Sequence, residues 1–257
     1  MSELYGALQE KCRTLRLAET AKELPRFLRE AEAKSWTYHE LIYEILTYET
    51  QCRERKNSEK LMKWADFPEL LTFDQFRLEE QSAIGEKHLN VLKELSWIDE
   101  CFTLIMMGPT GAGKTHLSTA LGIHAIERGY QVSFVSMERL IYVLKSREYI
   151  NKSKTRYKRI MSSELIIIDD VMYMAYEPQD AHLFFQFIYE MYDKAAFILT
   201  SNKGPNEWGK FLGDPTLTTA ILDRLLHRSE ILTFSEKQHS IRMKYRKVLF
   251  EGQGVDS

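Results

Sequence analysis

Apolar positions in the first quarter of the chain recur at helical spacing. Leu4, Leu8, Cys12 and Leu15 fall on one helix face, and Leu24, Phe27 and Leu28 mark a second helix. Thr37, followed three residues on by Glu40, forms a capping box in which each side chain satisfies a free backbone N–H of the first turn. The helix it opens carries Leu41, Ile45 and Leu46 and is expected to run on to Lys63. Phe67-Pro68 closes this part, because proline disfavours helix at the residue before it. A connector through Thr72-Phe73-Asp74 leads to a short helix near Glu86 to Leu95. From about residue 100 the pattern changes to strand-like runs at Phe102–Met107, Val132–Val135, Leu165–Ile168, Ala196–Leu199 and Glu230–Phe234. Helical runs separate most of them, which predicts βαβ units and a parallel sheet covered on both faces. A last helix is expected from Ser235, with Gln238 completing a second capping box, to about Leu249. The expected organisation is a helical N-terminal domain over 1–66, a linker and leading helix over 67–99, an α/β domain over 100–250 and a tail over 251–257.

Composition narrows the picture. The 257 residues are 44% hydrophobic, enough for a core and too many for a mainly disordered chain. Lys and Arg total 35 against 37 Asp and Glu, so any nucleic-acid site must be local. No apolar run approaches the ~20 residues of a membrane span. The N-terminus is charged and amphipathic without a signal-peptide core, so a cytoplasmic protein without membrane contact is expected. The cysteines Cys12, Cys52 and Cys101 are odd in number and far apart, which supports neither a disulfide framework nor a zinc site.

Gly108-Pro109-Thr110-Gly111-Ala112-Gly113-Lys114-Thr115 fits G-x-x-x-x-G-K-[ST], preceded by an apolar run and followed by Leu117, Leu121 and Ile123 at helical spacing. The order follows from the chemistry. Glycines let successive backbone N–H groups turn inward as an anion nest, and the helix N-terminus adds a positive dipole end. Lys114 would reach the β- and γ-phosphates, and the Thr115 hydroxyl would ligate Mg²⁺. Leu165-Ile166-Ile167-Ile168 then ends in Asp169-Asp170. Side chains alternate along a strand, so the two acids diverge at its carboxyl end. Asp169 is assigned to the metal and Asp170 to polarising water. Ile198-Leu199-Thr200-Ser201-Asn202 ends another strand on that edge, where Asn202 either reaches the γ-phosphate or its water, or is a turn asparagine. Arg224 and Arg228 close an amphipathic helix, either to stabilise a transferring phosphoryl group or as a solvated cationic terminus. Arg242 is ambiguous in the same way.

Together these residues resemble the AAA+ ATPases of the helicase-loader and replication-initiator group, and within it the IstB-like transposition helpers of insertion sequences. The resemblance covers nearly the whole chain. It takes in Ala65-Asp66-Phe67-Pro68, the phosphate loop with His116-Leu117, Ile167-Ile168-Asp169-Asp170, Leu183-Phe184-Phe185-Gln186, Leu199-Thr200-Ser201-Asn202, Glu207-Trp208-Gly209 and Ile221-Leu222-Asp223-Arg224-Leu225-Leu226. The series from Thr200 to Leu225 is more particular than the loop. The resemblance implies ATP and Mg²⁺ as cofactors, with Gly108 through His116 around the nucleotide. It places Asp169 and Asp170 at Walker B and Asn202 at sensor 1. Arg224 falls at the arginine finger with Arg228 in reserve, and Arg242 at sensor 2. It also implies homo-oligomers assembled on double-stranded DNA with ATP, which recruit and activate the element's transposase, hydrolysis then driving disassembly. Two departures stand out. Most such enzymes carry glutamate at the Asp170 position, and one methylene less leaves the carboxylate ~1.5 Å back, which predicts slow hydrolysis. The chain also ends soon after the last helix, so no C-terminal lid is expected.

Residues 145–159 hold seven basic residues and one acid, with Tyr149 and Tyr157 interleaved. Loaders and initiators resemble one another in carrying an extra helical element here. Lys154, Arg156, Lys158 and Arg159 are candidate phosphate contacts, with a solvated helix face as the alternative. In the N-terminal helices, 12 basic residues balance 12 acidic ones over 1–66. Arg53, Arg55, Lys56, Lys60 and Lys63 mark a DNA-binding reading, with helix-turn-helix-like geometry around Ala33–Thr37, and a protein-docking bundle is an equal alternative. A DnaC-like helicase loader, a small-molecule P-loop kinase and a nucleotide-gated scaffold with little hydrolysis remain open beside the transposition helper.

Overall fold

A computed structural model describes residues 2–78, 83–171, 177–204, 207–209 and 215–234. The chain divides into two compact units, residues 1–60 and 61–257. Arg242, the Ser235–Gln238 box and the region where a lid was not expected lie outside the described residues.

The first unit is helical: α1 (Ser2–Thr14), α2 (Ala18–Lys34) and most of α3 (Tyr38–Ala65). Ser35 takes the left-handed conformation that ends α2, with its N–H bonded to Glu32 O and that of Trp36 to Ala31 O. The Thr37–Glu40 box is formed in both directions, Thr37 N–H to Glu40 Oε2 at 2.7 Å and Glu40 N–H to Thr37 Oγ1 at 3.3 Å. Leu24 and Phe27 are buried, the latter edge-on to Tyr48. Glu49 is buried and accepts from the Thr20 N–H and hydroxyl at 3.0 and 2.9 Å.

The second unit is built on five parallel strands: β1 (Thr103–Met107), β2 (Val132–Ser136), β3 (Leu165–Asp169), β4 (Ala196–Ser201) and β5 (Ser229–Thr233). Their order is β2-β3-β4-β1-β5. Alternation along β3 sends Ile166 and Ile168 to one face and Leu165 and Ile167 to the other. Helices α7 (Met137–Ser146), α8 (Asn151–Met161), α9 (Pro178–Met191) and α10 (Pro215–His227) line the first face. The other carries α4 (Glu86–Lys93), α5 (Ser96–Asp99), α6 (Lys114–Glu127) and the last turn of α3. The parallel, doubly covered sheet expected from the alternating pattern is therefore present. The basic segment runs from the last residues of α7 through the turn and along α8, within the β2–β3 crossover.

One cation of that segment departs from expectation. The Arg156 side chain is only 10% exposed and donates to the carbonyls of Trp64 (2.8 Å), Ala65 (3.3 Å) and Phe134. Asp66 lies 3.6 Å away. Burial pushes the guanidinium's pKa down and Asp66 opposes the shift. Arg156 satisfies the carbonyls that α3 leaves open at its end, and it is not presented to a phosphate. Arg159 lies over the Trp64 ring at 5.1 Å, whereas Lys154 and Lys158 are exposed.

Candidate nucleotide-binding site

β4 lies between β1 and β3, so its carboxyl end separates the phosphate loop from the acidic strand end. The loop leaves β1 at Gly108, whose φ is 147°. A Cβ there would sit 2.4 Å from Phe234 O, so the close approach of loop and β5 end requires glycine. Gly113 caps α6 at φ 99°, which turns the chain so that the N–H groups of the helix's first turn face out of its N-terminus. Lys114 is buried, and its ammonium donates to Gly108 O at 2.7 Å and Pro109 O at 2.8 Å. The cradle thus combines backbone donors with one positive charge, the donor set a polyphosphate needs.

Three side chains converge beside it. Thr115 Oγ1 donates to the Asp169 carboxylate at 3.1 and 3.3 Å. The Thr200 hydroxyl also donates to Asp169 and accepts the Asp170 N–H at 3.0 Å. Burial pushes the Asp169 pKa up, and the Thr200 hydrogen bond pulls against it. Asp170 follows at φ 55° and is exposed, whereas Asp169 is half-buried. Thr115 and Asp169 offer hard oxygen atoms side by side, which suits Mg²⁺ shared with phosphate oxygens. Among the described residues no group of three or more His, Cys, Asp or Glu is placed to hold a metal ion alone.

Ser201 O accepts the Gly108 N–H at 3.2 Å, which ties the end of β4 to the start of the loop. Asn202 is exposed one residue further, on a turn closed by Ser201 Oγ accepting the Lys203 N–H at 3.0 Å. His116 turns elsewhere: its Nε2 is 2.9 Å from Thr72 O and its ring is edge-on to Phe76, so it braces the connector. Thr200, which bridges both acids, was not singled out in the sequence. Its signal was its position one register step past Ile168↔Leu199, readable only with the strand order in hand.

The arginines lie at another place. Arg224 donates to Ala220 O at 3.1 Å and stacks over Tyr189 (4.9 Å) and Phe185 (5.5 Å). These aromatics and Arg224 line an open groove of about 960 Å³ that includes none of the phosphate-loop residues. Arg228 approaches Asp193 at 3.9 Å. In the first unit, Arg53 pairs with Glu49 at 3.1 Å and Lys56 with Glu19 at 2.6 Å, so these two cations are engaged by acids of their own bundle. Arg55 lies against Cys52, while Lys60 and Lys63 are exposed.

A family model described as IstB-like ATP binding protein matches residues 10–248. An ATP-binding protein named for insertion sequence IS21 of Pseudomonas aeruginosa is 33% identical over 230 residues, 90% of this chain and 87% of that protein. One named for IS5376 of Geobacillus stearothermophilus is 33% identical over 246 residues, 96% and 97% of the two chains. Among solved structures, the DnaC helicase loader matches with a TM-score of 0.52 at 18% identity, over 64% of this chain and 96% of that one. AMPPCP-bound DnaA from Aquifex aeolicus matches with a TM-score of 0.53 at 21% identity, over 75% and 58%. These likenesses show an AAA+ fold.

Proposed function

The chain belongs to the IstB-like ATP-binding family, and from that premise we propose that it is an ATPase that assembles on double-stranded DNA and delivers the transposase of its insertion sequence. The observation that carries the nucleotide chemistry is the meeting of Thr115, Asp169 and Thr200 beside the phosphate loop. In this reading the loop N–H groups and Lys114 bind the β- and γ-phosphates. Thr115 and Asp169 would hold Mg²⁺, which would supply positive charge to offset that of the polyphosphate. Thr200 fixes the Asp169 carboxylate and the turn of Asp170, whose carboxylate polarises the attacking water. Asn202 orients that water. Arg224, with Arg228 beside the same helix end, reaches the γ-phosphate of a neighbouring subunit, so nucleotide and oligomer are linked. Exposed Lys154 and Lys158 on α8 contact DNA phosphates. The transposase as partner is supported by the insertion-sequence names of the relatives.

A second reading, a nucleotide-gated scaffold with little hydrolysis, is favoured by the short carboxylate of Asp170. Electron microscopy of protein, duplex DNA and a non-hydrolysable ATP analogue tests the proposal. Ordered oligomers on DNA are expected with the analogue, none with Lys114→Ala, and persistent ones with Asp170→Asn and ATP. A protein that stays monomeric with nucleotide and DNA would overturn it.

A further inference from the structure

Arg224 and Arg228 lie four residues apart at the end of α10, yet they are held differently. Arg228 approaches the carboxylate of Asp193 at 3.9 Å. Arg224 pairs with no carboxylate among the described residues, although Glu190 and Asp223 line the same groove. Its guanidinium sits over two rings instead, that of Tyr189 at 4.9 Å and that of Phe185 at 5.5 Å. The two aromatics are four residues apart on α9, which puts them on one helix face, with ring centroids 6.2 Å apart. One N–H of the guanidinium reaches Ala220 O at 3.1 Å. The helices that carry these parts are fixed to each other. Ile188 of α9 and Ile221 and Leu225 of α10 share one core, and Tyr192 Oη and His227 Nδ1 are 2.8 Å apart. Phe185 packs against that core, whereas Tyr189 is 63% exposed.

The difference matters for a cation that must meet a phosphate. A carboxylate partner would cancel its charge and would have to be displaced. A ring face attracts the cation through its quadrupole and leaves the net charge in place. We propose that Tyr189 and Phe185 are positioning residues, whose ring faces hold the Arg224 guanidinium in place without neutralising it, so that it meets the γ-phosphate of a neighbouring subunit preorganised. An unheld arginine would lose rotamer freedom at that encounter, and the stack removes this loss beforehand. The inference rests on the reading of Arg224 as a group acting between subunits and adds what holds it. Both rings act through Arg224.

The test is a mixing experiment with full-length protein, duplex DNA and ATP, read as steady-state phosphate release. Asp170→Asn subunits bind ATP and present Arg224 without turning over. Arg224→Ala subunits keep their own site and lack the guanidinium. Together the two are expected to release phosphate where neither does alone. Adding Tyr189→Leu to the Asp170→Asn subunit keeps apolar bulk at an exposed position and removes the ring face. It is expected to lower the mixed rate by about tenfold, the rate equivalent of one cation–π contact. Tyr189→Phe in its place is expected to restore the rate. ATP affinity, and oligomers on DNA with the non-hydrolysable analogue, should match across the Tyr189 variants. A mixed rate unmoved by Tyr189→Leu would overturn the positioning role and leave Arg224 its task. An equal loss in Tyr189→Leu and Tyr189→Phe would overturn it as well, by assigning the effect to the hydroxyl. So would loss of the oligomers in Tyr189→Leu, which would make the ring a subunit contact. Absence of complementation in the first mixture would overturn the reading of Arg224 itself, and the inference with it.

Discussion

Arg156 donates to the carbonyl of Trp64 at 2.8 Å, so a cation of the basic helix α8 closes the end of α3. Because the same guanidinium also reaches Ala65 and Phe134, removing it orphans several buried carbonyls at once. Arg156→Ala should cost about 2–3 kcal/mol. Arg156→Lys should recover part of this, since a point donor cannot span three acceptors. The midpoint of urea unfolding measures both. In DNA binding, the salt slope should fall by about one for each lysine lost at Lys154 or Lys158 and stay unchanged for Arg156→Lys.

Thr200 ties the two acids of the site through one hydroxyl, as donor to Asp169 and acceptor from the Asp170 N–H. Thr200→Val keeps the shape, takes the acceptor from the Asp170 N–H and leaves Asp169 with Thr115 as donor. Steady-state phosphate release should fall by about ten- to a hundredfold, the rate equivalent of one or two hydrogen bonds. Nucleotide affinity, followed with a fluorescent ATP analogue, should change far less, because the loop and Lys114 are untouched. A parallel loss of affinity would mean that Thr200 shapes the cradle itself.

What the sequence reveals follows from the range of the interactions involved. β3 was readable because four consecutive apolar residues from Leu165 sit in a strand buried on both faces. The phosphate loop was readable because its glycines and Lys114 act locally. Thr200 was not, because its partners Asp169 and Asp170 lie on a neighbouring strand and only the order β3-β4-β1 brings them together. Arg156 was misplaced for a different reason. A run of cations reads as a solvated face, yet Ser153 and Ile160 mark the inner face of α8 at helical spacing, and Arg156 lies on it. The groove at Arg224 depends on Phe185 and Tyr189 of α9, and no local pattern announces that meeting.

In the first unit, Glu19 is held at about 2, below its ordinary 4.5, by the hydrogen bonds from Lys56 and Lys22. The folded bundle therefore favours the charged carboxylate. Its contribution is complete above pH 4.5 and is lost as pH falls from there toward 2. Circular dichroism melts of the full-length protein should show a melting temperature that declines across this window, and Glu19→Gln should flatten the decline. The ion pairs are at the surface, so 1 M salt should shrink the difference between the two proteins.

Asp170 opens the turn after β3 at φ 55°, its N–H tied to Thr200 and its side chain exposed. The backbone is anchored, so the position of its carboxylate depends on side-chain length. Asp170→Glu adds one methylene and carries the carboxylate ~1.5 Å further from the anchored backbone. If Asp170 polarises the attacking water, phosphate release should rise by about tenfold or more, within the range of a better-placed general base. ATP affinity should hold, and oligomers on DNA should become shorter-lived in ATP while persisting in the non-hydrolysable analogue. Unchanged turnover in Asp170→Glu would assign water activation to another residue. A wild-type rate already like that of a processive motor would remove the reason for the substitution.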